Sequence, residues 1–170
     1  MNAPRIVVMG VSGCGKSTIG RALAERLGAD YVEGDELHPP ANVQRMAAGI
    51  ALTDEDREGW LAAIAARLAD AHAQQRGLVV TCSALKRRYR DQLRAGCPDL
   101  RLVYLHGDAQ LLTQRLESRT GHYMPASLLP SQLQALEPPQ SDEHALRFDI
   151  HSPAAEIVEQ TAAAFTMPAP

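Results

Sequence analysis

The chain has 170 residues, of which 45% are hydrophobic and 22% charged, and its formal net charge is −3. That length predicts one domain, 1–170, with a single buried core, and the small negative charge argues against a nucleic-acid partner. No apolar run reaches the roughly 18 residues of a membrane span, and the predicted first strand leaves no room for a signal peptide, so we expect a cytoplasmic protein without a membrane partner.

The N-terminal segment predicts a strand, a phosphate-binding loop and a helix, in that order. Arg5–Met9 is a short apolar run typical of a buried parallel strand, and residues 18–27 have helical periodicity. Between them, residues 10–18 match the pattern Gly-x-x-x-x-Gly-Lys-Ser/Thr without a mismatch. The sequence therefore predicts a site for a nucleoside triphosphate.

Each residue type in this loop has a physical role. Gly10, Gly13 and Gly15 let backbone N–H groups wrap a phosphate next to a helix N-terminus, which favours an anion. Lys16 adds positive charge at the β- and γ-phosphates and is a predicted catalytic residue, and the Ser17 hydroxyl suits Mg²⁺. The predicted nucleotide-binding residues are Gly10, Ser12, Gly13, Cys14, Gly15, Lys16, Ser17, Thr18 and Arg115.

The rest of the chain alternates apolar strand patterns with helical periodicity. Further strands are predicted at 30–35, 78–82, 100–106 and 146–150. Helices are predicted at 39–48, 86–95, 109–119, 131–136 and 153–165, and a long helix starts at the capping-box-like residues 53–56 and ends at Gly77. This alternation predicts an α/β fold: a five-stranded parallel sheet with helices on both faces.

Two acidic residues end the second predicted strand. If that strand stays regular through Gly34, Glu33 and Asp35 leave the same face, which suits one carboxylate near Mg²⁺ and one on an acceptor hydroxyl. A solvated turn is the alternative interpretation. The third strand lacks the terminal Asp common in motor ATPases, and the Asn-Lys-x-Asp pattern of GTPases is missing from the chain.

Basic residues follow the third strand and precede an irregular segment. Lys86 and Arg90 belong to a basic helix start, which is either a solvated face or a binding site for an anionic acceptor. Arg115 and Arg119 share a helix face that leads into residues 119–130, a predicted mobile lid. An arginine that closes over the γ-phosphate stabilises phosphoryl transfer; exposed helix charges are the alternative.

Several longer stretches resemble the small gluconate kinases of the P-loop type, and the similarity runs from Ile6 to about His151. Beyond the phosphate-binding loop, the stretches that carry the resemblance are Glu33-Gly34-Asp35-Glu36-Leu37-His38-Pro39, Asn42 with Arg45-Met46 and Gly49, Leu52-Thr53-Asp54-Glu55-Asp56-Arg57 with Trp60-Leu61, Cys82-Ser83-Ala84-Leu85-Lys86 with Tyr89-Arg90-Asp91, and Arg119-Thr120-Gly121-His122-Tyr123-Met124.

The resemblance implies transfer of the ATP γ-phosphate to the 6-hydroxyl of D-gluconate, with Mg²⁺ as cofactor, a sheet like that of nucleoside-monophosphate kinases, a lid and a homodimer. It implies that Asp35 is the catalytic base, Arg119 the catalytic lid arginine, and Glu33 an outer-shell partner of Mg²⁺, although Asp often stands at position 33. The implied substrate-binding residues are Asp35, His38, Arg45, Asp56, Arg57, Lys86, Arg90 and His122. Thr53 and Asp56 also fit a helix cap. A shikimate-kinase-like enzyme and a nucleotide switch or ATPase are the competing predictions.

Overall fold

A computed structural model describes residues 3–119 and 124–166, and its sheet is built around β1 (Arg5–Met9). Every residue of β1 is buried. A strand that is apolar and buried on both sides is typical of a parallel sheet covered by helices on both faces. The predicted bounds of this strand are confirmed.

Four more strands complete the sheet: β2 (Asp30–Glu33), β3 (Leu78–Thr81), β4 (Arg101–His106) and β5 (Leu146–Asp149). Their spatial order is β2-β3-β1-β4-β5, and every neighbouring pair is parallel. The predicted five-stranded parallel sheet is confirmed. Because the strands are parallel, the loops after β1, β2 and β3 meet at one edge, where ligands bind in such sheets.

Six of the described α-helices lie between these strands in the chain, and the last one, α7, follows β5. Helix α1 packs against α7, and α3 packs against α4. None of the described helices combines the length and the apolar character that a membrane span requires. The helices are α1 (Lys16–Leu27), α2 (Pro40–Ala47), α3 (Asp54–Ala73), α4 (Arg87–Ala95), α5 (Ala109–Glu117), α6 (Leu129–Ala135) and α7 (Ala154–Thr166).

Several predicted boundaries were wrong. Helix α5 ends at Glu117, so Arg119 lies beyond the helix that carries Arg115, and the prediction that the two share a helix face was wrong. Strand β2 ends at Glu33, and a 3₁₀ helix (Gly34–Leu37) follows it. Helix α3 ends at Ala73, well before Gly77. Within the predicted lid, a 3₁₀ helix (Ala126–Leu128) leads directly into α6, which begins at Leu129. Pro130 does not interrupt this helix, because proline is tolerated in the first turn. Residues 120–123 of that lid lie outside the described residues.

Candidate active site

The phosphate-binding loop joins β1 to α1 and needs glycine at the predicted positions. Gly10, Gly13 and Gly15 have φ values of +146°, +86° and +92°. A Cβ atom on Gly10 would lie 2.6 Å from the Leu105 carbonyl oxygen, and one on Gly13 would lie 2.9 Å from Leu116 Cγ. The backbone can therefore take this path only without side chains at these positions.

A cavity of about 300 Å³ lies over the loop. The Lys16 ammonium curls across the loop and donates to the carbonyl oxygens of Gly10 (3.0 Å) and Val11 (3.1 Å). Asp35, Arg115 and Arg119 line the same cavity. The structure thus brings a carboxylate and two arginines from two later segments to the loop, as the sequence predicts.

The Glu33 carboxylate is held by three hydroxyl groups at the end of β2. Ser17 Oγ donates to Glu33 Oε2 (2.7 Å), Tyr31 OH donates to the same oxygen (2.6 Å), and Thr81 Oγ1 donates to Oε1 (2.8 Å). Burial and the hydrogen bond to Glu33 raise the pKa of Tyr31 to about 12, so the phenol remains a donor. Because Ser17 Oγ donates its hydrogen bond to Glu33, its lone pairs remain available to a cation. A hydroxyl oxygen of this kind is a suitable ligand for Mg²⁺.

Gly34 turns the chain sharply after β2 and sets the position of Asp35. A Cβ atom on Gly34 would lie 1.8 Å from the Thr81 carbonyl oxygen. The Gly34 carbonyl oxygen accepts a hydrogen bond from Trp60 Nε1 at 2.8 Å. The prediction that Glu33 and Asp35 share a strand face was therefore wrong, because the strand has already ended. Asp35 nevertheless lines the cavity over the loop.

A second, narrower cavity adjoins the first on the side of α2 and α3. Its lining includes Lys16, Asp35, His38, Arg57, Ser83 and Gln132. We call it the acceptor-side cavity. His38 is stacked on Trp60, with ring centroids 4.1 Å apart. Burial lowers the pKa of His38 to about 4, an effect that Asp35 opposes and Arg57 reinforces.

Comparisons with known proteins identify the family. The AAA domain family model matches residues 6–139. The gluconokinase of Gluconobacter oxydans is 53% identical over 84% of this chain and 80% of that relative, and the thermosensitive gluconokinase of Escherichia coli is 43% identical over 94% and 86%. The chain belongs to the gluconokinase family. The crystal structure of a gluconokinase from Sinorhizobium meliloti superimposes with a TM-score of 0.85 at 50% identity, covering 95% of this chain and 91% of that one.

In this gluconokinase family member, Lys86 and Arg57 lie in one charged network around Asp54 at the start of α3. Lys86 Nζ donates to Asp54 at 3.0 Å, and Tyr89 OH and Arg88 also contact that carboxylate. Arg57 donates to Tyr89 OH at 3.2 Å. Hydrogen bonds from Tyr89 and Lys86 hold the pKa of Asp54 well below its usual range. Lys86 is therefore partly neutralised by a protein carboxylate, whereas Arg57 donates to a neutral phenol.

Arg45 and Asp56 form an ion pair of 3.3 Å on the surface of the gluconokinase fold. Asp56 also completes the predicted capping box of α3, in which Asp56 N donates to Thr53 Oγ1 (3.1 Å) and Thr53 N donates to Asp56 Oδ2 (3.0 Å). The hydrogen bond from Thr53 N lowers the pKa of Asp56. The capping role of Asp56 is confirmed, whereas contact of either residue with an acceptor stays a prediction.

Arg90 does not reach the crevice. Its guanidinium is fully buried and donates to Glu143 at 2.7 and 3.0 Å, and to the carbonyl oxygens of Ala84 (2.9 Å) and Leu85 (3.3 Å). A buried arginine whose donors are occupied in this way cannot bind an acceptor without breaking its buried ion pair with Glu143. The prediction that Arg90 binds the substrate was therefore wrong. His122, another predicted substrate-binding residue, lies outside the described residues.

The structure adds residues that the sequence analysis missed. Gln132 of α6 lines the acceptor-side cavity and accepts from the Ser12 backbone N–H at 2.7 Å. Ile150 and Ser152 border a cavity of about 140 Å³ between α1 and the start of α7, and the Ile150 carbonyl accepts from Arg115 at 2.8 Å. No motif signals these positions, because their role depends on contacts between segments that are distant in the chain.

Proposed function

We propose that this chain transfers the γ-phosphoryl group of ATP to the 6-hydroxyl of D-gluconate and gives 6-phospho-D-gluconate. The single observation that carries the proposal is that Asp35 lines both the cavity over the phosphate-binding loop and the acceptor-side cavity. A carboxylate at this junction is placed to orient an acceptor hydroxyl toward a γ-phosphate. The names of the relatives support gluconate as the acceptor.

ATP is proposed to bind with its phosphates on the loop. The N–H groups of the loop and the Lys16 ammonium neutralise the phosphate oxygens, and Lys16 exchanges the carbonyl oxygens of Gly10 and Val11 for phosphate oxygens when the nucleotide arrives. The neighbouring cavity lined by Cys14, Thr18, Ile150 and Ser152 is proposed to take the nucleoside. Arg115 borders both cavities and is suited to link them.

Mg²⁺ is the proposed metal, with Ser17 as a direct ligand and Glu33 in the outer shell. When bound, Mg²⁺ supplies positive charge to the β- and γ-phosphate oxygens. Glu33 acts through Ser17, because it accepts a hydrogen bond from the Ser17 hydroxyl at 2.7 Å. This bond orients the lone pairs of Ser17 Oγ away from Glu33, where they can bind the metal ion. Glu33 is longer by one methylene than an Asp at this position, and its side chain reaches Ser17 Oγ without difficulty.

On the acceptor side, Asp35 is proposed to accept the proton of the attacking hydroxyl as phosphoryl transfer proceeds. His38, Arg57 and Lys86 are proposed to bind the remaining hydroxyls and the carboxylate of gluconate, and the positive charges of Arg57 and Lys86 suit an anionic acceptor. Arg119, which lines the cavity over the loop, is proposed to stabilise the charge on the transferred group. Arg45, Asp56 and His122 stay as candidates for the periphery of this site.

The proposal is tested by ADP release from ATP and Mg²⁺, measured without an acceptor and then with D-gluconate, shikimate and other sugar acids in parallel. Strong stimulation by gluconate alone is the expected result. Turnover with shikimate would favour a shikimate-kinase-like activity, and acceptor-independent hydrolysis would favour a nucleotide switch. Mass spectrometry of the product, with phosphate on the terminal carbon, identifies the 6-hydroxyl as the acceptor.

The homodimer and the cytoplasmic location implied by the resemblance are also proposals. Sedimentation equilibrium of the purified protein tests the first, with a mass of one chain as the contradicting result. Fractionation of the source cells tests the second.

A further inference from the structure

Asn42 connects His38 to the start of α3. Its side chain is 5% exposed. The Asn42 amide nitrogen donates to the Asp56 backbone carbonyl at 2.8 Å and lies 3.3 Å from His38 Nδ1. Asn42 is on α2 and Asp56 on α3, so the amide bridges two helices at the wall of the acceptor-side cavity.

The chemistry of these atoms fixes the direction of both hydrogen bonds. A backbone carbonyl only accepts, so the Asn42 atom that contacts the Asp56 oxygen must be the amide nitrogen. That nitrogen carries two protons and no acceptor lone pair. The second proton points to His38 Nδ1, which must therefore be an unprotonated acceptor.

We infer that Asn42 holds His38 as the neutral Nε2–H tautomer, so that His38 presents a hydrogen-bond donor to the acceptor-side cavity. The stacking on Trp60 restrains the ring in the same orientation. Among the described residues, the hydrogen bond of the His38 ring is the one at Nδ1, which leaves Nε2 for a ligand. Burial also keeps the imidazole neutral at pH 7, because the His38 pKa is lowered to about 4.

The consequence for recognition rests on the proposed function. An ionised Asp35 only accepts hydrogen bonds, whereas His38 Nε2 in this tautomer only donates. Both residues line the acceptor-side cavity. A hydroxyl satisfies both partners, because it donates and accepts, but a carbonyl oxygen has no proton for Asp35. Asn42 is thus a positioning residue that gives His38 its selectivity for the oxygens of a polyhydroxy acid.

The tautomer is measured directly on the wild-type protein, by long-range ¹H–¹⁵N correlation spectroscopy at pH 7 without ligand. We expect the Nδ1 shift of an unprotonated acceptor and the Nε2 shift of a protonated nitrogen. The signals of His38 are those that disappear in H38Q. A protonated Nδ1, in either the other tautomer or the imidazolium form, would overturn the inference. This result does not depend on whether gluconate is the substrate.

Two variants test the donor role. The amide of Gln reaches the position of Nε2, whereas the shorter amide of Asn reaches only that of Nδ1. We expect H38N to raise the KM for gluconate roughly tenfold, the effect of one lost hydrogen bond, and H38Q to restore much of the loss, while the KM for ATP stays constant in both. Equal KM values for gluconate in H38N, H38Q and wild type would contradict the donor role.

A third variant tests the role of Asn42. In N42D the carboxylate accepts from the imidazole, so the proton moves to Nδ1 and the ¹⁵N pattern inverts. A thermal unfolding scan of the same sample establishes that the variant is folded. An unchanged ¹⁵N pattern in folded N42D would show that Asn42 does not set the tautomer. If wild type has no activity with gluconate, the proposed function fails, but the ¹⁵N pattern still decides the inference.

Discussion

The backbone N–H of Ser12 donates to Gln132 Oε1 over 2.7 Å, although the two residues are 120 positions apart in the chain. Met124 Sδ accepts from both partners, from Ser12 Oγ at 2.9 Å and from Gln132 Nε2 at 3.0 Å. Met124 of the predicted lid and Gln132 of α6 are thereby both attached to the phosphate-binding loop. The loop conformation thus depends on α6 as well as on its own glycines.

Replacing Gln132 with Ala should destabilise the protein, because Ser12 N–H is buried and would lose its acceptor. We expect the free energy of unfolding to fall by about 1–3 kcal/mol, the cost of one unsatisfied buried donor. Q134A is the matched control, since Gln134 is exposed on the same helix. Urea titration of both variants measures the difference. An equal loss in the two would show that the Ser12 contact contributes nothing.

Replacing Asp35 with Asn should abolish phosphoryl transfer and leave ATP binding intact. The amide cannot accept a proton from the acceptor hydroxyl, so we expect kcat to fall by roughly 10²–10⁴-fold. E36Q is the control, because it removes a carboxylate from the next residue of the same 3₁₀ helix, where the side chain is exposed. Steady-state kinetics compares kcat of D35N and E36Q with that of wild type, and ATP titration compares their ATP affinities. Retained transfer in D35N would assign the base to another residue.

Replacing Gly34 with Ala should be far more harmful than replacing Gly59 with Ala. The new Cβ at position 34 would lie 1.8 Å from the Thr81 carbonyl oxygen, whereas at position 59 no atom lies within 4 Å apart from the adjacent residues and the backbone of the same helix. Gly59 is inside α3, so G59A should stabilise the protein by about 0.5–1 kcal/mol. Thermal unfolding measures whether G34A lowers the unfolding temperature and G59A raises it. A G34A protein as stable as wild type would contradict the close approach of β2 to β3.

The Arg90–Glu143 pair predicts a specific loss of stability in acid. Burial alone would raise the pKa of Glu143, but hydrogen bonds from Arg90 and Arg94 outweigh it and lower the pKa from 4.5 to about 2. The stabilisation is therefore complete above about pH 4.5 and is lost as the pH falls toward 2.

The variant E143Q isolates this contribution. Removing one partner of a buried pair costs about 3–5 kcal/mol, so E143Q should be less stable than wild type at pH 7, and the difference should shrink as the pH falls below 4.5. D142N is the control, since Asp142 is exposed and paired with Arg87 at the surface. Denaturant titrations at several pH values measure the difference. A pH-independent gap would contradict the assignment to Glu143.

The sequence predicts β1 and its loop closely, because a buried central strand and a glycine loop leave local patterns. The end of β2 was not predictable in this way, because the turn at Gly34 depends on contacts with Thr81 and Trp60. Lys86 and Arg90 illustrate the same limit within the site. Both are basic residues of one helix start, but only the position of Glu143, 53 residues beyond Arg90, decides that Arg90 is buried.

Thr81 ends β3, the strand that carries a terminal Asp in many P-loop ATPases. In this chain a carboxylate of the neighbouring strand, Glu33, lies beside that position, and Thr81 Oγ1 donates to it at 2.8 Å while accepting from Gly34 N at 3.1 Å. T81D alone would set two carboxylates against each other, and loss of Glu33 alone would remove the carboxylate that accepts from Ser17 Oγ. A single substitution therefore cannot move the carboxylate from position 33 to position 81. A redesign must replace Glu33 and Thr81 together.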